Sequence, residues 1–146
     1  EVNVVKMMKE VNAVIGGEGN GGIIDPQLHY GRDALIGIAL FLTHLAQTGL
    51  STAALRKTYP DYFMSKQKID LPKGTDVKAI LEKVKTQYAA QPVNTVDGVK
   101  IEFDKSWVHL RSSNTEPIIR VYAEASTTEK ADALASEVMD VIKGLL

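Results

Sequence analysis

Between Val99 and Ala123 the apolar residues recur with a period of two, which limits this part of the chain to strands with one buried face. Val99, Ile101 and Phe103 alternate with Lys100, Glu102 and Asp104. Val108 and Leu110 continue the alternation, and Ile119, Val121 and Ala123 line the inner face of the next strand. Asp97-Gly98, just before the run, is a tight-hairpin dipeptide. A further strand is expected from Tyr62 to Leu71, stopping at Pro72-Lys73-Gly74. Helical stripes flank these strands. Val77, Ile80, Leu81, Val84 and Tyr88 form one, and Leu134, Val138, Val141 and Leu145 form another, opened by a capping box of Ser126 and Glu129. An antiparallel sheet with two helices on one face accommodates every stripe, so residues 59–146 read as an α+β domain large enough to fold alone.

One polar stretch interrupts this pattern. Arg111-Ser112-Ser113-Asn114-Thr115-Glu116-Pro117-Ile118-Ile119-Arg120 sets two guanidinium groups, three hydroxyls and an amide on a strand–loop–strand unit. Arginine offers a fixed fork of donors that matches phosphate oxygens, and short polar side chains let backbone N–H groups approach the same anion. The competing reading is an ordinary turn, in which Ser, Asn and Thr bond their own backbone. Arg111 ends one strand and Arg120 belongs to the next, so rigid elements carry both, and this favours an anion cradle. Glu116 brings a negative charge into the loop, where it is expected to orient Arg120 or cap a backbone N–H. Trp107 and His109 fall on the strand face opposite Val108 and Leu110, and Trp107 reads as a packing residue. Any one of Lys66, Lys68, Lys73 and Lys78 reads as a solvated surface charge.

The first part of the chain is patterned differently. A short helix over residues 1–12, bearing Val4, Val5, Met7, Met8 and Val11, leads into an expected strand Ala13-Val14-Ile15. Then comes Gly16-Gly17-Glu18-Gly19-Asn20-Gly21-Gly22, a glycine density that no helix or strand interior is expected to tolerate and that brings backbone close to a ligand or another chain segment. The spacing formally fits Gly-x-Gly-x-x-Gly, yet no complete β–α–β unit surrounds it, so it is not a dinucleotide fingerprint. Glu18 offers a carboxylate able to accept from two vicinal hydroxyls, with no nearby base that would make it catalytic. Asp33 caps a helix running to about Thr48, with Gly49 as terminator. Because that helix is apolar nearly all round, it is expected to be buried on several sides. Only one recognisable strand precedes it, so residues 1–58 read as the end of an α/β domain. Ser51 caps a short helix through Lys57, and Tyr59-Pro60-Asp61 then breaks the chain.

Composition narrows the function. A net charge of −1 gives no general attraction to nucleic acid or acidic membranes, so a bound anion must be held locally. Without cysteine there is no disulfide framework and no thiolate metal site, and His29, His44 and His109 are too scattered for a zinc cluster. The longest apolar run, Ala34 to Leu42, is far short of a membrane span, and residues 1–6 lack the features of a signal peptide, so a soluble cytoplasmic protein is expected.

The segment from Trp107 to Ala125 resembles the phosphate-binding loop in the last domain of the α-D-phosphohexomutases, the family of phosphoglucomutase, phosphomannomutase and phosphoglucosamine mutase. Residues 16–22 are similar to the sugar-binding loop of that family's third domain. Two motifs in the right order, spanning nearly the whole chain, imply a C-terminal fragment: residues 1–58 from the third domain and residues 59–146 as the fourth. The resemblance implies that the complete enzyme moves a phosphoryl group between the 1- and 6-positions of a hexose phosphate, through a bisphosphorylated sugar. Arg111, Ser113, Asn114, Thr115 and Arg120 would hold the substrate phosphate, while Glu18 and Asn20 bind the sugar. Many bacterial members place a serine after the glutamate and end the loop in histidine, where this chain has Asn20 and Gly22.

The phosphoserine and Mg²⁺ loop of that family belong to its first two domains. No Ser-His motif and no Asp-x-Asp-x-Asp loop occurs here. The expectation is therefore a fragment that binds no metal, is inactive alone, and has as partners a hexose phosphate and the missing N-terminal domains, with no nucleic acid and no membrane. The rival reading is a stand-alone binding module that presents Trp107 and Tyr122 on an open sheet face to RNA or a small regulatory ligand.

Overall fold

The computed structural model describes residues 1–113 and 115–146, in two compact units, Glu1–Pro60 and Asp61–Leu146. The first contains α1 (Val2–Val11), β1 (Gly16–Gly17), β2 (Ile23–Ile24), α2 (Ala34–Thr48) and α3 (Thr52–Arg56). The expected strand at residues 13–15 is not formed. Val14 is 79% and Ile15 51% exposed, and the pairing falls instead on Gly16 and Gly17, opposite Ile24 and Ile23. Bare backbone is what permits this. A Cβ at Gly16 would run into the sulfur of Met8, which is itself buried, so the glycine that looked unfit for a strand lets α1 close over the ladder.

The caps of α2 are those its sequence prescribes: Asp33 accepts from Ile36 N–H at 3.0 Å, and Gly49 ends the helix in the left-handed region at φ 65°. Its burial is not as expected. No α2 residue is buried; Leu35 is 78% and Ile38 55% exposed, because this unit supplies too little structure to cover an all-apolar helix. Ser51 caps α3 by accepting from Ala54 N–H at 3.2 Å.

The second unit contains β3 (Phe63–Asp70), α4 (Val77–Gln87), β4 (Val93–Asn94), β5 (Val99–Phe103), β6 (Ser106–Ser112), β7 (Ile118–Ala125) and α5 (Thr128–Gly144). Its five strands form an antiparallel sheet in the order β3-β7-β6-β5-β4. Ile69, Val99, Ile101, Val108, Leu110, Ile119, Val121 and Ala123 meet Ile80, Val84, Ala135, Val138 and Ile142 of α4 and α5 in one core. Each such side chain of Val or Ile size contributes roughly 1.5–3 kcal/mol of burial free energy. The innermost stripe of α5 is thus Ala131, Ala135, Val138 and Ile142, with Leu134, Val141 and Leu145 on its flank.

Three local expectations change. The alternation from Val99 to Leu110 belongs to two strands, because Asp104-Lys105 makes a two-residue hairpin with Lys105 at φ 56° and Phe103 opposite Ser106. Asp97-Gly98 lies in a wider β4–β5 connection that closes at Asn94 opposite Lys100. The cap of α5 is Thr127, which accepts from Lys130 N–H at 3.3 Å, whereas Ser126 Oγ receives the Lys130 ammonium. Glu129 still serves that helix start: its own backbone N–H and then the Thr127 hydroxyl hold its carboxyl below the usual range.

Candidate functional site

The outer face of the sheet, turned away from the helices, gathers the charged groups. Register sets Arg111 of β6 directly opposite Arg120 of β7, and Arg120 directly opposite Lys68 of β3. Three cations therefore stand in one row across three strands. Like charges placed opposite one another destabilise a sheet unless something negative lies between them. Partial compensation is present at both ends, where Arg111 Nη2 meets Asp97 Oδ2 at 2.9 Å and Lys68 Nζ meets Asp70 Oδ1 at 3.4 Å. Among the described residues no ion pair reaches Arg120. A groove of about 360 Å³ runs beside it, lined by Lys66, Lys68, Glu116, Arg120 and Tyr122 among others.

The loop between the two arginines is braced at its base. Ser113 N–H donates to Ile118 C=O at 3.1 Å, Ile118 N–H to Glu116 C=O at 2.8 Å, and Leu71 N–H to Pro117 C=O at 2.8 Å. Inside the loop Ser113 Oγ receives the N–H groups of Thr115 and Glu116 at 3.4 and 3.3 Å and lies 3.4 Å from Thr115 Oγ1. These contacts are long for hydrogen bonds. They aim two backbone donors and two hydroxyls at one small region, where a stronger acceptor than a hydroxyl would bind both donors better. Glu116 forms no ion pair with Arg120 among the described residues; its N–H is capped rather than capping. Asn114 lies outside the described residues.

Two contributors were not legible as such. Asp97, read only as a turn residue, grips Arg111 through its carboxylate while its carbonyl receives His109 Nε2 at 2.5 Å. Gly98 allows that approach: it sits at φ 79°, and a Cβ there would strike the carbonyl oxygen of Leu110. Lys68, read as a solvated charge, completes the cationic row; the signal was its even spacing from Lys66 on one strand face.

In the first unit the glycine-rich stretch is the tip of the β1–β2 hairpin, closed by Glu18 N–H to Gly22 C=O at 3.0 Å and Gly21 N–H to Glu18 C=O at 3.1 Å. Asn20 turns its carbonyl inward to accept from Gly22 N–H at 3.0 Å, so its first task is to shape the tip. Glu18 faces a cation: its Oε2 lies 3.8 Å from Arg32 Nη1. A cleft of about 600 Å³ beside the tip is lined by Asn20, Gly22, Arg32 and Asp33 among others.

Trp107 is engaged at both edge and face: its indole N–H donates to Glu124 Oε1 at 3.0 Å, and Lys100 Nζ sits 5.3 Å from its ring centroid. Among the described residues no three His, Asp or Glu side chains converge on a metal position, and no helix is long and apolar enough to cross a membrane.

Comparisons with known proteins find matches along most of the chain. Residues 66–141 match the family model described as phosphoglucomutase/phosphomannomutase, C-terminal domain, and residues 1–62 match that of phosphoglucomutase/phosphomannomutase, alpha/beta/alpha domain III. The chain is 37% identical over 145 residues to a phosphoglucosamine/phosphogalactosamine mutase of Sulfurisphaera tokodaii, covering 98% of this chain and 32% of that protein. It is 39% identical over 130 residues to a phosphoglucomutase/phosphomannomutase of Thermococcus kodakarensis, covering 88% and 28%. A solved phosphoglucomutase/phosphomannomutase family protein of Burkholderia thailandensis superposes with a TM-score of 0.71 over 97% of this chain and 30% of that one, at 23% identity, a likeness of fold. The chain spans 28–32% of the length of these curated relatives. Nothing in these matches supports the reading as a module for RNA or a regulatory ligand.

Proposed function

The chain belongs to the phosphoglucomutase/phosphomannomutase family, and from that premise we propose that it is the substrate-holding C-terminal part of a phosphohexomutase. The complete enzyme interconverts hexose 1-phosphate and hexose 6-phosphate through a bisphosphorylated sugar. Residues 1–58 supply the end of its third domain and residues 59–146 its fourth. The observation that carries the reading is the cross-strand pair Arg111 and Arg120 with the Ser113–Thr115 loop at its end.

In this proposal Arg111 and Arg120 approach one phosphate from two strands, and Ser113, Asn114 and Thr115 donate to it from the loop. This is the phosphate that is not being transferred. Glu18 accepts from hydroxyls of the sugar ring, and Asn20 sets the loop that presents it. Holding the remote phosphate raises the rate of transfer at the other end, because binding energy offsets the entropy of orienting a substrate that must present either end. In this proposal the phosphoserine and Mg²⁺ of the reaction belong to the rest of the enzyme. The 146-residue chain alone is accordingly inactive as a mutase, and the complete enzyme works in the cytoplasm on a soluble sugar phosphate.

The test is a titration of the isotope-labelled chain followed by NMR. Inorganic phosphate and glucose 1-phosphate should shift backbone resonances across residues 111–120, while an oligonucleotide should leave them in place. Shifts with oligonucleotide alone would overturn the proposal.

A further inference from the structure

Gly22 lacks a side chain for reasons of space, not of backbone conformation. Gly21, Gly49, Gly74 and Gly98 adopt the left-handed region, whereas Gly22 does not. The place its Cβ would occupy is already filled: that atom would lie 2.7 Å from Arg32 Cδ, 3.2 Å from Arg32 Cγ and 3.2 Å from Asn20 Oδ1. The aliphatic stem of Arg32 thus lies flat against the loop backbone. Its own backbone is pinned nearby, because Asp33 N–H donates to Ile23 C=O at 2.9 Å and Arg32 N–H to Glu1 Oε1 at 3.4 Å.

From that seat the guanidinium lies between two carboxylates. Nε meets Glu1 Oε2 at 2.9 Å, and Nη1 faces Glu18 Oε2 at 3.8 Å. The Arg32 side chain stays half exposed, on the same cleft as Asn20 and Gly22. A planar fork fixed at its stem restricts the rotamers of the carboxylate it faces.

We propose that Arg32, seated on Gly22, is a positioning and specificity-determining residue of the sugar site: it holds Glu18 in the orientation that receives the ring hydroxyls. This rests on the assignment of Glu18 to the sugar given above. Gly22 and Arg32 then act as one device, and a methyl group at residue 22 should imitate the loss of the arginine.

The experiment uses the complete enzyme carrying Arg32→Ala, Gly22→Ala, the double substitution, and Glu18→Gln as reference. Each is assayed with glucose 1-phosphate and mannose 1-phosphate, and thermal melts confirm folding. Arg32→Ala should change the ratio of the two kcat/KM values by about twofold to fivefold, the effect of loosening one exposed ion pair. Gly22→Ala should shift the ratio in the same direction, and the double substitution should shift it no further than the larger single effect. Inhibition by inorganic phosphate should stay as in the wild type, which separates positioning of Glu18 from direct capture of a phosphate by Arg32. An unchanged ratio in Arg32→Ala beside a shifted ratio in Glu18→Gln would overturn the role of Arg32 and leave that of Glu18 standing. Additive effects in the double substitution would overturn the seat. An unchanged ratio in Glu18→Gln would remove the sugar assignment itself, and this inference with it.

Discussion

Replacing Arg111 by alanine should separate binding from folding. The side chain is 48% exposed on the outer face of the sheet, it adds nothing to the core between sheet and helices, and its ion pair is to Asp97 at 2.9 Å, itself about half exposed. An exposed pair of this kind is worth about 0.2–1 kcal/mol, which for a unit of this size moves the melting temperature by about 1–8 °C. The loss to catalysis should be larger. Removing a charge-assisted donor from a bound phosphate costs about 1.5–3 kcal/mol, so kcat/KM of the complete enzyme should fall roughly tenfold to 150-fold. Arg111→Lys should recover only part of this, since an ammonium keeps the charge but loses the fork. Asp97→Asn gives an internal control, because it frees the guanidinium without removing it and should change kcat/KM by only a few-fold, in line with an exposed pair. Steady-state kinetics of the three variants, with a melt of each, decides the matter. Wild-type kcat/KM in Arg111→Ala would refute the clamp.

Arg120→Ala should raise the melting temperature of the phosphate-free chain slightly, by relieving repulsion from Arg111 and Lys68, yet abolish the stabilisation that added phosphate gives the wild type; equal melts with and without phosphate in the wild type would count against this. Gly98→Ala, with φ at 79° and the Leu110 carbonyl in the way, should cost at least ~2 kcal/mol in urea unfolding, whereas Gly74→Ala, at φ 84° in open space, should cost only the ~1 kcal/mol of the backbone term. Tyr88 should titrate near pH 12 in an ultraviolet absorbance titration, because burial, then the charge of Glu137 and the hydrogen bond to it, disfavour the phenolate. Its folded pKa lies above the ordinary 10.0, so the stability it contributes is complete below about pH 10 and is lost as pH rises through 12; Tyr88→Phe should flatten that alkaline decline, and titration of every tyrosine near 10 in the folded chain would refute it.

Much of the second unit could be read from the sequence because one face of its sheet is buried and the pattern of burial is written in alternate residues. The hairpin at Asp104-Lys105 was nevertheless missed, although it leaves a mark: Val99, Ile101 and Phe103 are odd, Val108 and Leu110 are even, and no continuous strand can change parity without a bulge or a turn. Glycine gave the opposite difficulty. Gly16 and Gly17 were excluded from a strand on propensity, but packing against Met8 requires them to be bare there, and tertiary packing overrides a local preference. Of the proposed site, the arginines and hydroxyls were legible because they cluster in sequence. Asp97 and Lys68 were not, because they reach the cluster only through strand register.

Three of this chain's departures from the rules that stabilise a fold fall on the proposed sites. The outer sheet face sets Lys68, Arg120 and Arg111 abreast, an arrangement that cross-strand preferences disfavour. A left-handed glycine is held beside the Leu110 carbonyl, at the turn whose aspartate grips one of those cations. In the first unit, a glycine free of conformational need is reserved for the stem of an arginine that faces the Glu18 carboxylate. None of these choices improves the core, and each would serve the anion or the hydroxyl that the proposed sites receive. Sequence patterns that agree with one another specify the fold; the few that conflict with it mark the surfaces where binding has set the residue.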